Sequence, residues 1–250
     1  MKIQVVIPAR LASSRLPEKL LLRVDERSIL QHTYEAARRA EGVAGVTVAV
    51  DDPRLAQEVD DFGGEALMTA VDCPSGTDRI AEVAALMPDV DIFVNVQGDE
   101  PEIEPAAIER VSRLLIEHPE ADMATVAAPL RDLDRWQDPN CVKVVLDQHN
   151  HALYFSRAPL PHVRDGVTAA DLAADPPQFW QHVGLYAYRR EFLLWFATEP
   201  PAALERLEKL EQLRALAAGR RIVVGRIDTV AAGIDTLEDF EQFCQRFESQ

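Results

Sequence analysis

Residues 5–19 read VVIPARLASSRLPEK, and the fold is decided around them. The apolar run Ile3 to Ile7 has strand length and carries no charge, as a strand buried on both faces requires. Pro8 ends it. The loop that follows brings Arg10, Arg15 and Lys19 together at spacings of five and four. The chain as a whole is acidic, with 42 Asp plus Glu against 26 Lys plus Arg. Three cations gathered in one Ser-containing loop against that background point to an anion site, for a multiply charged anion such as a triphosphate.

The same alternation continues outward. Strands are expected at 46–50, 65–68, 92–96 and 123–128, separated by helical patterns at 53–62, 78–87 and 105–117. Ser28 with Gln31 marks a helix start, and Gly63-Gly64 a helix end. This βαβα order predicts an α/β fold: three layers, a mostly parallel sheet with helices on both faces. Beyond it the pattern changes. Residues 142–146 and 152–155 flank the polar turn Asp147-Gln148-His149-Asn150 and read as a hairpin. Residues 157–178 read as a loop or arm, 183–188 as a strand and 222–227 as another. Residues 203–218 read as one helix with Leu204, Leu207, Leu210, Leu213 and Leu216 on a core-facing stripe. A last helix over 236–247 opens on the cap pair Thr236 and Asp239. We therefore expect one domain, 1–250, with a β-rich insertion at 140–190.

A net charge of −16 argues against non-specific nucleic-acid binding and against docking on anionic lipid. No apolar run approaches the ~20 residues of a membrane span, and no signal peptide is evident. Cys73, Cys141 and Cys244 are odd in number and far apart, so no disulfide framework or zinc motif is indicated. A reducing cytoplasm fits. Neither GxxxxGK[ST] nor GxGxxG occurs, so the first loop is no P-loop and no dinucleotide fingerprint.

Five further places could carry chemistry. Asn95-Val96-Gln97-Gly98-Asp99-Glu100-Pro101 follows a buried strand, where a carboxylate faces the ligand crevice of an open sheet and suits Mg²⁺. It is also readable as an acidic turn. Asp235 precedes a capped helix, either as a second metal carboxylate or as a favourable charge at a helix N-terminus. Cys73-Pro74-Ser75-Gly76-Thr77-Asp78-Arg79 opens a helix, and could offer N–H and hydroxyl groups to a base or sugar, or simply cap it. Arg157 follows a strand and His182 opens one; a carboxylated substrate would want the guanidinium, while a lone His is more often structural. Glu211 and Gln212 lie off the Leu stripe, facing a cleft or solvent.

In order and spacing these motifs resemble the 3-deoxy-manno-octulosonate cytidylyltransferase family over essentially the whole chain. The matching stretches are Pro8-Ala9-Arg10, Ser14-Arg15-Leu16-Pro17 with Lys19, Ser75 to Arg79, Asn95 to Pro101 and Val142 to Val145. Ala152 to Arg157, His182 to Tyr186, Leu210 to Arg214 and Asp235-Thr236 complete the set. The resemblance implies a nucleotide-diphospho-sugar transferase fold, a homodimer assisted by the insertion, and the reaction of CTP with 3-deoxy-manno-octulosonate (Kdo) to give CMP-Kdo and diphosphate for lipopolysaccharide biosynthesis, with Mg²⁺. By the same likeness Arg10, Arg15 and Lys19 hold the triphosphate. Ala9, Ser75 and Arg79 lie near the nucleoside, and Asp99 and Asp235 bind the metal. Gln97, Arg157, His182, Glu211 and Gln212 line the sugar-acid pocket, with Asp99, Asp235, Lys19 and Arg10 the catalytic set. Alternatives are a related acid (8-amino-Kdo or a sialic acid), or a non-catalytic nucleotide-binding protein. The chain departs from the family pattern at Glu18, where Gly is common, and at Leu237, where Pro is. The Glu18 side chain is expected to point to solvent.

Overall fold

The computed structural model describes residues 1–13 and 15–248; Ser14 of the first matching motif lies outside them. The chain begins with β1 (Ile3–Ala9), a 3-10 turn (Lys19–Leu21) and the short strands β2 (Arg23–Val24) and β3 (Arg27–Ser28). Then come α1 (Ile29–Ala37), β4 (Gly45–Val50), α2 (Pro53–Asp61), β5 (Ala66–Met68), α3 (Gly76–Leu86), β6 (Ile92–Asn95) and α4 (Pro105–Glu117). There follow β7 (Met123–Pro129), α5 (Leu133–Gln137), β8 (Lys143–Leu146), β9 (Ala152–Ser156), α6 (Ala169–Leu172), β10 (Trp180–Arg189) and α7 (Arg190–Thr198). The chain closes with α8 (Ala203–Glu208), α9 (Gln212–Ala217), β11 (Ile222–Arg226) and α10 (Leu237–Glu248). The described residues divide into two compact units. One comprises residues 1–109 and 189–197 and the chain from 231 on; the other comprises 110–188 and 198–230.

In the first unit β1 pairs in parallel with both β4 and β6, and β4 with β5. The strands are ordered β5-β4-β1-β6. The path moves one way from β1 to β5, then reverses to reach β6. Right-handed crossovers then put α1 and α2 on one face and α3 on the other. The expected α/β class and parallel pairing hold. Val5, Val6 and Ile7 are completely buried, which is why β1 reads as an unbroken apolar run rather than an alternating one. Local signals set the helix ends. The Ser28 hydroxyl accepts the Gln31 N–H at 3.1 Å, whereas the Gln31 amide donates to Glu35, leaving only half of the expected capping box. Thr236 and Asp239 complete theirs: the Thr236 hydroxyl accepts the Asp239 N–H at 3.2 Å and Asp239 Oδ2 accepts the Thr236 N–H at 2.8 Å.

The second unit is richer in antiparallel pairing. β7 pairs in parallel with β11 and antiparallel with β10, β10 meets β8, and β8 and β9 form the expected hairpin. The stretch 157–178 is not wholly irregular. Thr168 and Asp171 cap the short α6, and Leu172 packs with Leu130, Trp136, Cys141 and Phe179 in a separate cluster.

The single helix expected over 203–218 is two helices. Lys209 breaks it at φ 54°, and Leu204 and Leu207 of the predicted core stripe are exposed, Leu207 at 80%, while Leu210 and Leu213 are buried. The cause lies 51 positions away in sequence. Arg157 Nε donates to the Glu208 carbonyl at 2.7 Å, and the Glu208 carboxylate accepts the Arg157 N–H at 3.0 Å. Those contacts hold the end of α8 open to Arg157 instead of to a further helical turn. No helix among the described residues is long and apolar enough to cross a membrane.

Candidate active site

The strand order places a topological switch point between β1 and β6, where loops leaving the carboxyl ends diverge and a crevice opens. The two loops that sequence singled out leave from these two strands. Gly98 lets them approach: a Cβ there would sit 3.3 Å from the Pro8 carbonyl oxygen, and Thr33 donates to the Gly98 carbonyl at 3.0 Å. A third segment joins through the backbone, as Ile234 N–H donates to the Asp99 carbonyl at 2.9 Å. The result is a cavity of about 290 Å³ whose walls include Arg10, Arg15, Lys19, Gln97, Asp99 and Asp235.

The charges in it are organised around Lys19. Its ammonium donates to the Asp99 carboxylate, to Asp235 Oδ1 at 3.0 Å and to the Ile234 carbonyl at 3.0 Å. Arg15 Nη2 reaches the same Asp235 oxygen at 2.9 Å. Two carboxylates separated by 136 positions, 99 and 235, thus meet on one nitrogen. Burial by itself lowers the Lys19 pKa, but the Asp99 charge and hydrogen bond, joined by Asp235, outweigh it and raise the pKa above its ordinary value. Lys19 is therefore a fixed cation at neutral pH. Hard oxygens on one wall with cations beside them are a donor set that fits Mg²⁺ shared with phosphate oxygens.

The other expected residues fall as follows. Arg10 Nη2 donates to the Cys73 carbonyl at 2.7 Å, which ties the first loop to the segment leading into α3. Ala9 is buried at the end of β1. Ser75 is the N-cap of α3: its hydroxyl accepts the Asp78 N–H at 3.2 Å and donates to the Asp78 carboxylate at 2.7 Å. Arg79 is completely buried, donating to Thr69 and, at 3.4 Å, to Asp51, with its Nε unpartnered. Gln97 Nε2 lies 3.4 Å from Asn95 Oδ1. Arg157, His182, Glu211 and Gln212 belong to the second unit. Arg157 gives its guanidinium to the carbonyls of Glu208 and Pro139, the latter at 3.0 Å. His182 lies inside β10 with Nε2 2.9 Å from Thr125 Oγ1, and burial pushes its pKa down to about 3. Glu211 stands at the N-cap of α9, and the buried Gln212 leaves its amide nitrogen without a partner.

Two residues of the site escaped the sequence reading. Asp51, at the end of β4, accepts the Leu11 N–H at 2.9 Å and so anchors the cationic loop. Glu100 has a buried, unpartnered Oε2; burial first, and the Asp99 charge second, push its pKa up to about 8. An acidic pair after a strand was the only signal for Glu100, and it does not say which member turns inward. Cys73 is a protonated, unreactive thiol: burial, then its hydrogen bond to Glu82, pushes its pKa up to about 11. Glu18 stands at φ 50°, its side chain half exposed and 2.8 Å from Arg54, as the solvent-facing reading required. Glycine adopts that left-handed backbone at least cost, which fits the Gly that the resemblance leads one to expect here.

A parallel sheet with a switch-point crevice, a cationic loop and two facing carboxylates places the chain among the α/β nucleotidyltransferases. A family model described as cytidylyltransferase matches residues 4–222. A 3-deoxy-manno-octulosonate cytidylyltransferase from Rhodopirellula baltica is 62% identical over 250 residues, covering 100% of both chains. One from Geobacter sulfurreducens is 47% identical, covering 98% of this chain and 99% of its own. The solved structure of CMP:2-keto-3-deoxy-manno-octonic acid synthetase complexed with CTP matches with a TM-score of 0.90 at 40% identity, covering 100% of this chain and 99% of that one. The chain belongs to the 3-deoxy-manno-octulosonate cytidylyltransferase family.

Proposed function

We propose that this chain activates Kdo with CTP, giving CMP-Kdo and diphosphate for lipopolysaccharide biosynthesis. The observation that carries the reading is the convergence of Lys19, Arg15, Asp99 and Asp235 on one cavity at the switch point. The anomeric hydroxyl of the sugar acid attacks the α-phosphorus of CTP and gives up its proton to water, a new P–O bond forms, and the bond to diphosphate breaks. Arg10, Arg15 and Lys19 hold the triphosphate and stabilise the charge that grows on the leaving diphosphate. Ala9 and Ser75 shape the nucleoside side, and Arg79 supports it from beneath.

Asp99 and Asp235 would hold Mg²⁺, which supplies Lewis-acid polarisation and screens repulsion between two anionic substrates. Within the second unit, Arg157, His182, Glu211 and Gln212 are the residues that the family resemblance assigns to the sugar acid. The unpartnered amide of Gln212 supports this, since a buried donor without an acceptor is costly unless a ligand completes it. A homodimer is proposed through the 140–190 segment, whose exposed Leu153 supports an apolar contact. A cytoplasmic location is part of the same proposal, supported by three scattered cysteines with no disulfide framework.

The test is diphosphate release from each of four nucleoside triphosphates with Kdo, 8-amino-Kdo or a sialic acid, in Mg²⁺. Release confined to CTP with Kdo is expected. Release with another acid reassigns the substrate, and CTP binding without any release makes the chain a nucleotide-binding protein instead.

A further inference from the structure

A second cluster of ligating side chains lies in the other unit. His118 follows the last turn of α4, its N–H still donating to the Leu114 carbonyl at 2.9 Å. Glu120 is two residues on. His151 follows the β8–β9 turn. His118 Nδ1 lies 3.1 Å from Glu120 Oε1, and His151 Nε2 lies 3.3 Å from the same oxygen. One ligand atom from each of the three residues lies within 4.8 Å of the others. A tetrahedral ion with bonds of about 2.1 Å separates its ligands by roughly 3.4 Å, which the two nitrogen–oxygen spacings match, while the two nitrogens lie within the 4.8 Å that one ion can draw together.

The histidine is also held the way metal-bound histidines are held. Asp147 Oδ2 lies 3.3 Å from His151 Nδ1. Asp147 is itself fixed, its Oδ1 accepting the N–H groups of His149 and His151, each at 2.8 Å. A carboxylate on one ring nitrogen sets the tautomer and aims the lone pair of the other. With Nδ1–H donated to Asp147, the Nε2 lone pair faces the Glu120 carboxylate. Two acceptors facing each other at 3.3 Å need a cation between them, a proton or a metal. The imidazole side chains remain reachable, 32% and 19% exposed for His118 and His151.

We propose that His118, Glu120 and His151 form a site for a zinc-class divalent ion, with water in the fourth position and Asp147 as the positioning residue. The two-imidazole, one-carboxylate set suits Zn²⁺ and excludes Mg²⁺, which wants oxygen ligands. The bound ion would clamp the end of α4 to the β8–β9 turn. This site is separate from the nucleotidyl-transfer reading and stands or falls without it.

The experiment is calorimetric titration of the full-length, chelator-treated protein with ZnCl₂ at pH 7.5, in excess Mg²⁺ so that carboxylate sites elsewhere are occupied. One equivalent is expected to bind. His118→Ala and His151→Ala should each weaken it at least ~100-fold. Asp147→Asn keeps the Oδ1 acceptor of the turn but loses the orienting oxygen, and should weaken binding about 10-fold. His149→Ala should leave it unchanged. Glu120→Gln, which leaves both rings in place, guards against loss through misfolding and should also abolish tight binding. Absence of binding overturns the proposal, as does binding that survives His151→Ala, and an Asp147→Asn protein that binds like the parent removes the positioning role.

Discussion

Lowering the pH tests the buried state of His182. Its ring is 8% exposed, lies edge-on to Phe155 with centroids 4.9 Å apart, and meets Tyr186 at 5.4 Å. Its ring nitrogen Nε2 meets the Thr125 hydroxyl at 2.9 Å, and that hydroxyl also reaches the Val183 and Leu185 carbonyls, at 3.1 and 2.8 Å. Burial alone takes the pKa from 6.5 to about 3. The unfolded chain binds a proton at this ring below about pH 6.5, whereas the folded chain stays neutral until about pH 3. The unfolded state therefore gains protons first as the pH falls. Stability is complete above pH 6.5 and declines through the window down to 3. At pH 5 the gap is about 1.5 units, or roughly 2 kcal/mol lost relative to pH 8. Other groups titrate too, so the informative quantity is a difference. Urea midpoints at pH 5 and pH 8 should be measured for the parent and for His182→Asn. The parent should lose about 2 kcal/mol more than the variant over that interval. Equal losses in the two proteins would show that the ring accepts a proton in place, and the neutral-core account of β10 would be wrong.

Other perturbations follow from single sites. Lys143 is completely buried and its ammonium donates to the carbonyls of Asp138, Cys141 and Arg157 at 2.9, 2.6 and 2.8 Å; Lys143→Met should cost about 3–5 kcal/mol in a denaturant titration, and a cost under ~1 would refute the view that it holds the hairpin base. Glu18→Gly releases a left-handed non-glycine backbone and gives up only an exposed ion pair with Arg54, so the melting temperature should rise by an amount equivalent to about 1 kcal/mol; a fall would mean that the Arg54 contact matters more. Leu237, exposed at the first position of α10, is where proline fits a helix best, and Leu237→Pro should leave circular dichroism and melting temperature at or above the parent's. Asp99→Asn and Asp235→Asn should each lower turnover at least ~10²-fold in the diphosphate-release assay, and near-parental turnover in either would remove that residue from the transfer chemistry.

The parallel half of the fold was legible because its physics is local. A doubly buried strand has to be a short Val and Ile run, and Ser28, Ser75 and the Thr236–Asp239 pair fix helix starts by contacts three residues apart. What sequence misjudged was decided at long range. The Leu stripe over 203–218 has faultless helical spacing, yet Arg157 captures the Glu208 carbonyl and turns Leu204 and Leu207 outward. α7 was missed because its apolar residues surround the helix and leave no period to read. The site divides the same way. Arg15, Lys19 and Asp99 were readable as charges in loops that follow parallel strands, which a switch point brings together, and Asp235 as a charge before a capped helix. The inward turn of Glu100 and the anchoring by Asp51 depend on neighbours that no spacing rule names.

The packing of charge in the cavity also answers how a strongly acidic chain can receive anions. A largely covered ammonium such as that of Lys19 would be expensive without a counter-charge, as would the Asp99 carboxylate beside it. Here Lys19 and Arg15 are satisfied by Asp99 and Asp235, and the cluster is nearly neutral as it stands. On the proposed function, entry of a phosphate group would exchange partners instead of stripping water from isolated charges: the cations would turn to phosphate oxygens, and the carboxylates would be left for a divalent cation. The anion and the cation would then favour each other's binding, since either one alone leaves half of the cluster without a counter-charge. Measured by titration, CTP affinity should rise with Mg²⁺ in the parent protein, and that coupling should shrink in Asp235→Asn, where the carboxylate half of the exchange is weakened; CTP binding of equal strength with and without the ion would mean that the Lys19 cluster does not open on binding.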